Sequence, residues 1–169
     1  MQAYVDKDML YIPNDVCNVI PRLVPENVTD IIVHCTDTEC TSAVTLDTIN
    51  SWHIARGFKC IGYHFVIYPD GVCKVARPLQ LRGAHAVMYN HCSVGVCYVG
   101  GRVHGNPKDS RTFAQKISLA ECFGYIIRHF PNVDKIIGHN DVSAKLCPCF
   151  DAKMEYEGFV EKYRKCLNF

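Results

Sequence analysis

The sequence predicts an α/β domain in which a central mixed β-sheet is flanked by helices. Three observations lead there. Short apolar runs rich in β-branched and aromatic residues, such as 31–33, 62–68 and 93–99, have the length of strands. Segments with apolar residues at helical spacing, above all 112–130, fall between them. Strand-like and helix-like segments alternate without an internal repeat, low-complexity stretch or interior linker, which favours one layered core.

Residues 1–28, punctuated by Pro13, Pro21 and Pro25, read as an N-terminal extension that wraps a single domain over 29–169. Ile31, Ile32 and Val33 form a short buried strand ending at His34, and 35–44 is polar and loop-like. Thr45 opens a helix, with Asp47 in its first turn, Leu46, Ile49 and Trp52 at helical spacing, and Gly57 as its stop. The next strand is 62–68, where alternation puts Tyr63, Phe65 and Ile67 on one face and His64 and Val66 on the other. Pro69-Asp70-Gly71 is a turn signal, so 72–75 pairs back as a hairpin. A buried strand over 93–99 ends at Gly100-Gly101, and 104–110 is a loop. The longest helix spans 112–130, with Ile117, Ala120, Phe123, Ile127 and Phe130 on one stripe. A short strand at 135–137 delivers the chain to His139, and 151–163 is a final helix.

The 169 residues suit one domain with a sizeable core, and 49% hydrophobic content is ordinary for a globular chain. The net charge of +1, without a basic run, argues against a nucleic-acid partner, which needs a concentrated positive face. No apolar stretch approaches the roughly 18 residues of a membrane span. The N-terminus carries Asp6 and Asp8 and no apolar signal core, so cytoplasmic accumulation is expected. Eleven cysteines, an odd number at irregular spacing with no Cys-x-x-Cys, read as reduced thiols that mostly act as small buried hydrophobes.

The chemistry concentrates in Gly-His-Asn-Asp-Val-Ser-Ala-Lys-Leu-Cys-Pro at 138–148. His139 and Cys147 are ligand types that zinc prefers, and His34 is a second imidazole at a strand end. Three such ligands with one open position are the arrangement of a catalytic zinc. Lys145 stands two residues before Cys147; in an extended segment both would point the same way, putting a cation beside the metal. A structural site would need a fourth ligand, for which Cys149 is the candidate. Asp141 is a candidate acceptor for a ligand imidazole, or a turn residue. His85 and Asn90 lie in a polar loop suited to a ligand groove.

Six blocks occur in order: Ile-Ile-Val-His-Cys-Thr (31–36), Trp-His with Arg-Gly-Phe (52–58), Ile-Gly-Tyr-His-Phe-Val-Ile with Asp-Gly (61–71), Gly-Ala-His-Ala with Asn (83–90), Ser-Val-Gly-Val with Val-Gly-Gly (93–101), and Gly-His-Asn-Asp with Lys-Leu-Cys-Pro (138–148). In these the chain resembles the zinc N-acetylmuramoyl-L-alanine amidases of the type 2 amidase and peptidoglycan-recognition-protein superfamily, in particular the small phage lysozyme-type enzymes. The resemblance covers about 30–150. It implies zinc on His34, His139 and Cys147, catalytic roles for Tyr63 and Lys145, and groove contacts from His85 and Asn90. It also implies a peptidoglycan substrate and an endolysin that reaches the wall after release or with a holin. A cytosolic muropeptide-recycling amidase and a non-catalytic binding protein are the alternatives. Some phage amidases of this type also bind a polymerase, but no surface here identifies such a partner. Two features depart from the pattern: Cys149 stands where the family usually has glycine or serine, and the N-terminal extension is long.

Overall fold

The computed structural model describes residues 12–41 and 43–167. Helix α1 (Asn14–Val19) precedes strand β1 (Asp30–Cys35), β2 (Thr38–Glu39), helix α2 (Leu46–Ala55), β3 (Phe65–Ile67), β4 (Cys73–Val75), β5 (Ser93–Tyr98), β6 (Gly101–Val103) and β7 (Asn106–Pro107). Helix α3 (Phe113–His129), β8 (Lys135–Gly138), α4 (Ala152–Glu155) and α5 (Phe159–Leu167) complete the described residues. Five strands form a mixed sheet in the order β4-β3-β5-β1-β8. β1 runs parallel to β5 and β8, β3 runs parallel to β5, and β4 is antiparallel to β3.

The central strand β1 is buried along its whole length, as a parallel strand covered on both faces must be. Its side chains divide by alternation. Ile31, Val33 and Cys35 join the main core with Leu119, Phe123 and Ile126 of α3 and with Ala152 and Val160. Ile32 faces the other way, onto Ala86 and Ile137. His34 therefore shares the face opposite α3, at the C-terminal end of the strand. That second face is closed further along by Leu46 and Ile49 of α2, with Ile61, Val66 and Cys97.

Local chemistry fixes the ends of the two principal helices. The Thr45 hydroxyl accepts from the Thr48 N–H, and Gly57, at φ +86°, lets the chain leave α2. At α3, Thr112 and Gln115 form a reciprocal capping box. Gln115 is fully buried, and its amide donates to the carbonyls of Ile67 and Val99, tying the helix start to two strands. The β3–β4 hairpin turns on Gly71 at φ +89°, with the Val72 N–H on the Asp70 carboxylate.

Several expectations need correction. The loops expected at 35–44 and 104–110 contain β2 and β7, which join β6 in a separate three-stranded sheet; two-residue strands carry no readable periodicity. The strand expected over 62–68 is shortened to Phe65–Ile67, so alternation does not reach Tyr63. Tyr63 packs with the cluster of Val66 and Cys97, not with Phe65 and Ile67. On α2, Trp52 is 39% exposed while His53 is buried, and on α3 Ile117 is 46% exposed while Leu119 and Cys122 line the core. The final helix is broken at Gly158, φ +69°, into α4 and α5. Of the expected extension, residues 1–11 lie outside the described residues, whereas Leu23 and Val28 belong to the main core.

Candidate metal centre

Two adjacent strands and one loop build the site. His34 is the penultimate residue of β1, β8 runs parallel beside that strand, and His139 follows β8 immediately in a short 3-10 turn. The Asp141 carboxylate accepts from the Gly138 N–H and the His139 carbonyl accepts from the Ser143 hydroxyl, so the turn carrying His139 is closed on itself. Asp141 is thus a turn residue.

Cys147 comes from the following loop, held from beneath by the buried Tyr98, whose hydroxyl donates to the Pro148 carbonyl at 2.6 Å. The Cys147–Pro148 peptide is cis. Cys149 adopts φ +68°, the left-handed region where glycine is favoured, at the position the resemblance assigns to a small residue. Its sulfur faces Cys35 Sγ at 3.9 Å. All eleven cysteines are free.

The ligand atoms of His34, His139 and Cys147 all lie within 4.8 Å of one another. Cys147 Sγ is 3.8 Å from His34 Nδ1, and the two imidazole rings are 4.5 Å apart between centroids. Donors sharing one tetrahedral zinc, at bond lengths of about 2.0–2.3 Å, stand about 3.3–3.8 Å apart, so this trio needs little closure to hold one ion. The Cys35 N–H donates to Cys147 Sγ at 3.2 Å. Burial, followed by neighbouring His85, His139 and Lys145, pushes the His34 pKa well down. Burial and then Lys145 lower His139 to about 4. Both rings are neutral at pH 7, the form that offers a lone pair.

Tyr63 is in ring contact with the trio, and Lys145 acts on it electrostatically. The Tyr63 ring lies 5.0 Å from that of His34, and burial pushes its pKa well above the ordinary phenol value, so it remains an O–H donor. Lys145 sits exposed on a bend, not an extended segment, yet its ammonium acts on both His34 and His139. Cys149 is outside the ligand trio.

His85 sits behind the ring of His34, and Asn90 behind His85. His85 is 9% exposed, and its Nδ1 is 3.0 Å from His34 Nε2. The Asn90 carbonyl oxygen accepts from the backbone N–H groups of His85 and Ala86, clipping their loop. A residue left without a role by the sequence is His53 of α2. It is buried against Tyr63 at 5.0 Å, and its Nδ1 accepts from the Gly62 N–H. The signal was present in Trp52-His53, but an imidazole does not register in an apolar stripe.

A family model described as N-acetylmuramoyl-L-alanine amidase matches residues 25–150. The chain is 36% identical over 133 residues to the endolysin of Klebsiella phage KP32, covering 78% of this chain and 87% of that one. It is 35% identical over 133 residues to the endolysin of Escherichia phage T7, again 78% of this chain and 87% of that one. Among solved structures, the N-acetylmuramoyl-L-alanine amidase LysC from Clostridium intestinale URNW superimposes with a TM-score of 0.67 at 27% identity, covering 88% of this chain and 90% of that chain. With its mixed sheet and its two histidines and cysteine gathered where two adjacent strands end, the chain belongs to the type 2 N-acetylmuramoyl-L-alanine amidase family, within the peptidoglycan-recognition-protein superfamily.

Proposed function

We propose that this protein hydrolyses the amide between N-acetylmuramic acid and L-alanine in peptidoglycan, with zinc held by His34, His139 and Cys147, and that it serves as a phage or prophage endolysin. The observation that carries this is the convergence of three ligand atoms within 4.8 Å beside Tyr63 and Lys145. Cys149 is turned toward Cys35, and among the described residues no fourth protein ligand joins the trio, which supports a catalytic over a structural site. The presence of all three ligands favours catalysis over simple binding of the muropeptide. Catalysis is assigned to 29–169, with 1–28 as an extension whose last residues enter the main core and the family match, which begins at residue 25.

Zinc, when bound, supplies a Lewis acid that polarises the scissile carbonyl and eases deprotonation of water near neutral pH. The chain's own groups do the rest. His34 and His139 present neutral rings, and the Cys35 N–H steadies the Cys147 sulfur. Attack on the amide moves negative charge onto the carbonyl oxygen, where the Tyr63 hydroxyl and the Lys145 ammonium are the available donors. The same two side chains can deliver the proton that the departing alanine nitrogen requires.

The endolysin role is supported by the phage endolysins among the relatives. No helix among the described residues is long and apolar enough to cross a membrane. Synthesis in the cytoplasm followed by release, or by holin-dependent passage to the wall, fits that role. The test is mass analysis of products from purified peptidoglycan, with and without a chelator. Release of peptides with a free L-alanine amino terminus, abolished by the chelator and restored by zinc, is expected. Glycan cleavage or chelator-resistant activity would overturn the proposal.

A further inference from the structure

We propose that His85 is a positioning residue for the metal ligand His34, with Asn90 holding His85 in place. The inference rests on the zinc site proposed above. His34 has two ring nitrogens and two neighbours: Nδ1 faces the Cys147 sulfur at 3.8 Å, and Nε2 faces His85 Nδ1 at 3.0 Å. A nitrogen that binds a metal carries no proton, so His34 Nε2 must carry it and donate to His85 Nδ1. That bond fixes both the tautomer and the rotation of the ligand ring. An imidazole acceptor does this without adding a negative charge to the site, as a carboxylate would.

The surroundings of His85 are built for this one orientation. Its ring lies in a slot between two glycines: a Cβ on Gly83 would come 2.4 Å from His85 Cδ2, and a Cβ on Gly95 would come 2.6 Å from the same atom. The backbone behind the ring is clipped by Asn90, whose side-chain oxygen takes the N–H groups of both His85 and Ala86 at 2.8 and 2.9 Å. The tautomer that accepts from His34 has its own proton on Nε2, a buried atom, and the Ser93 backbone acts on the His85 ring as a hydrogen-bond acceptor. With 9% exposure, His85 offers a substrate in the groove little surface.

The test compares zinc-stripped wild type with His85→Phe, which keeps a ring but has no acceptor, and His85→Gln, whose amide oxygen can accept from His34. Zinc affinity is read by competition with a chromophoric chelator, and folding by near-ultraviolet circular dichroism. His85→Phe is expected to bind zinc about 10- to 100-fold more weakly, with His85→Gln recovering most of the loss. Long-range 15N spectra of the zinc-loaded wild type should place the proton of His34 on Nε2 and that of His85 on Nε2, a readout that stands even where a variant does not fold. A folded His85→Phe with unchanged zinc affinity and a raised KM for peptidoglycan would overturn the inference in favour of a substrate contact, as would a proton on His85 Nδ1. Wild type that binds no zinc would instead overturn the function itself, and this inference with it.

Discussion

The backbone N–H of Cys35 donates to the Cys147 sulfur across 3.2 Å, joining residues 112 positions apart in the chain. The end of β1 thus contributes twice to the centre: the His34 ring supplies a nitrogen, and the next peptide unit supplies a donor to the sulfur. The loop carrying that sulfur is fastened to β5 through Tyr98 and Pro148. The centre is therefore set by neighbouring parallel strands whose register aligns His34 with Cys97 and Val33 with both Val96 and Gly138.

Cys147→Ser should lose zinc and hydrolysis while keeping the fold. The serine hydroxyl is a far poorer ligand than a thiolate, whereas Cys147 is only half-buried and its removal leaves the core intact. Metal analysis, circular dichroism and peptide release measured on one preparation check all three points. Full amidase activity without bound metal would remove Cys147 from the ligand set.

Tyr63→Phe and Lys145→Ala should both keep zinc and turn over slowly. Each removes a donor that matters only when charge develops on the carbonyl oxygen, a loss that typically lowers kcat on the order of 100-fold or more. Tyr63→Phe leaves the ring against His34 and His53 in place, so its packing is conserved. Wild-type kcat in either variant, at full zinc occupancy, would eliminate that side chain from the mechanism.

Tyr98→Phe should weaken the centre from a distance. Tyr98 is fully buried, and its hydroxyl serves the Pro148 carbonyl at 2.6 Å. Removing it leaves a carbonyl without its donor, at a cost of about 1–3 kcal/mol in unfolding free energy. The loop that presents Cys147 loses its fastening at the same stroke, so zinc affinity should fall along with stability. Urea denaturation of the zinc-free protein and chelator competition separate the two effects; a variant as stable and as tight-binding as wild type would contradict this account.

What the sequence made legible follows from where the determinants lie. His34 is readable because an Ile-Ile-Val run of strand length ends on it, and the long capped helix α3 because its apolar spacing persists for several turns. Tyr63 leaves the face that alternation predicts because alternation holds only inside an extended strand, and Gly62 just before it is pressed against Ala84, where a Cβ would meet the Ala84 carbonyl oxygen at 2.1 Å. The burial of His53 and His85 is not legible in the sequence, for a shared reason. Each is accommodated by a specific hydrogen-bond partner, the Gly62 N–H for one and His34 for the other, and such partners are created only by the tertiary fold. The β2–β6–β7 sheet was invisible because a strand of two or three residues has no period to detect.

The zinc-free protein should lose stability as the pH falls from about 6.5 to about 4, and His64 identifies one cause. It is fully buried, its Nε2–H donates to the Leu81 carbonyl, and its Nδ1 accepts from the Gly95 N–H, each at 3.0 Å. Both nitrogens are in use in the neutral form, and a second proton would confront an N–H. Burial accordingly lowers its pKa to about 4, against an ordinary 6.5. Between those values the unfolded chain binds a proton that the folded protein refuses, so stability is retained above pH 6.5 and declines as the pH drops through the window, levelling below about 4. At about 1.4 kcal/mol per unit, His64 alone accounts for about 3 kcal/mol. His53, lowered to about 4 by burial first and then by Arg56 and Arg77, acts in the same sense, as do the depressed rings of His34, His85 and His139. The wild-type slope should therefore exceed that of one proton, and His64→Gln should flatten it by about one proton's share. Denaturant titrations at pH 7, 6, 5 and 4 with and without that substitution measure the difference; identical slopes would show that His64 accepts a proton inside the fold.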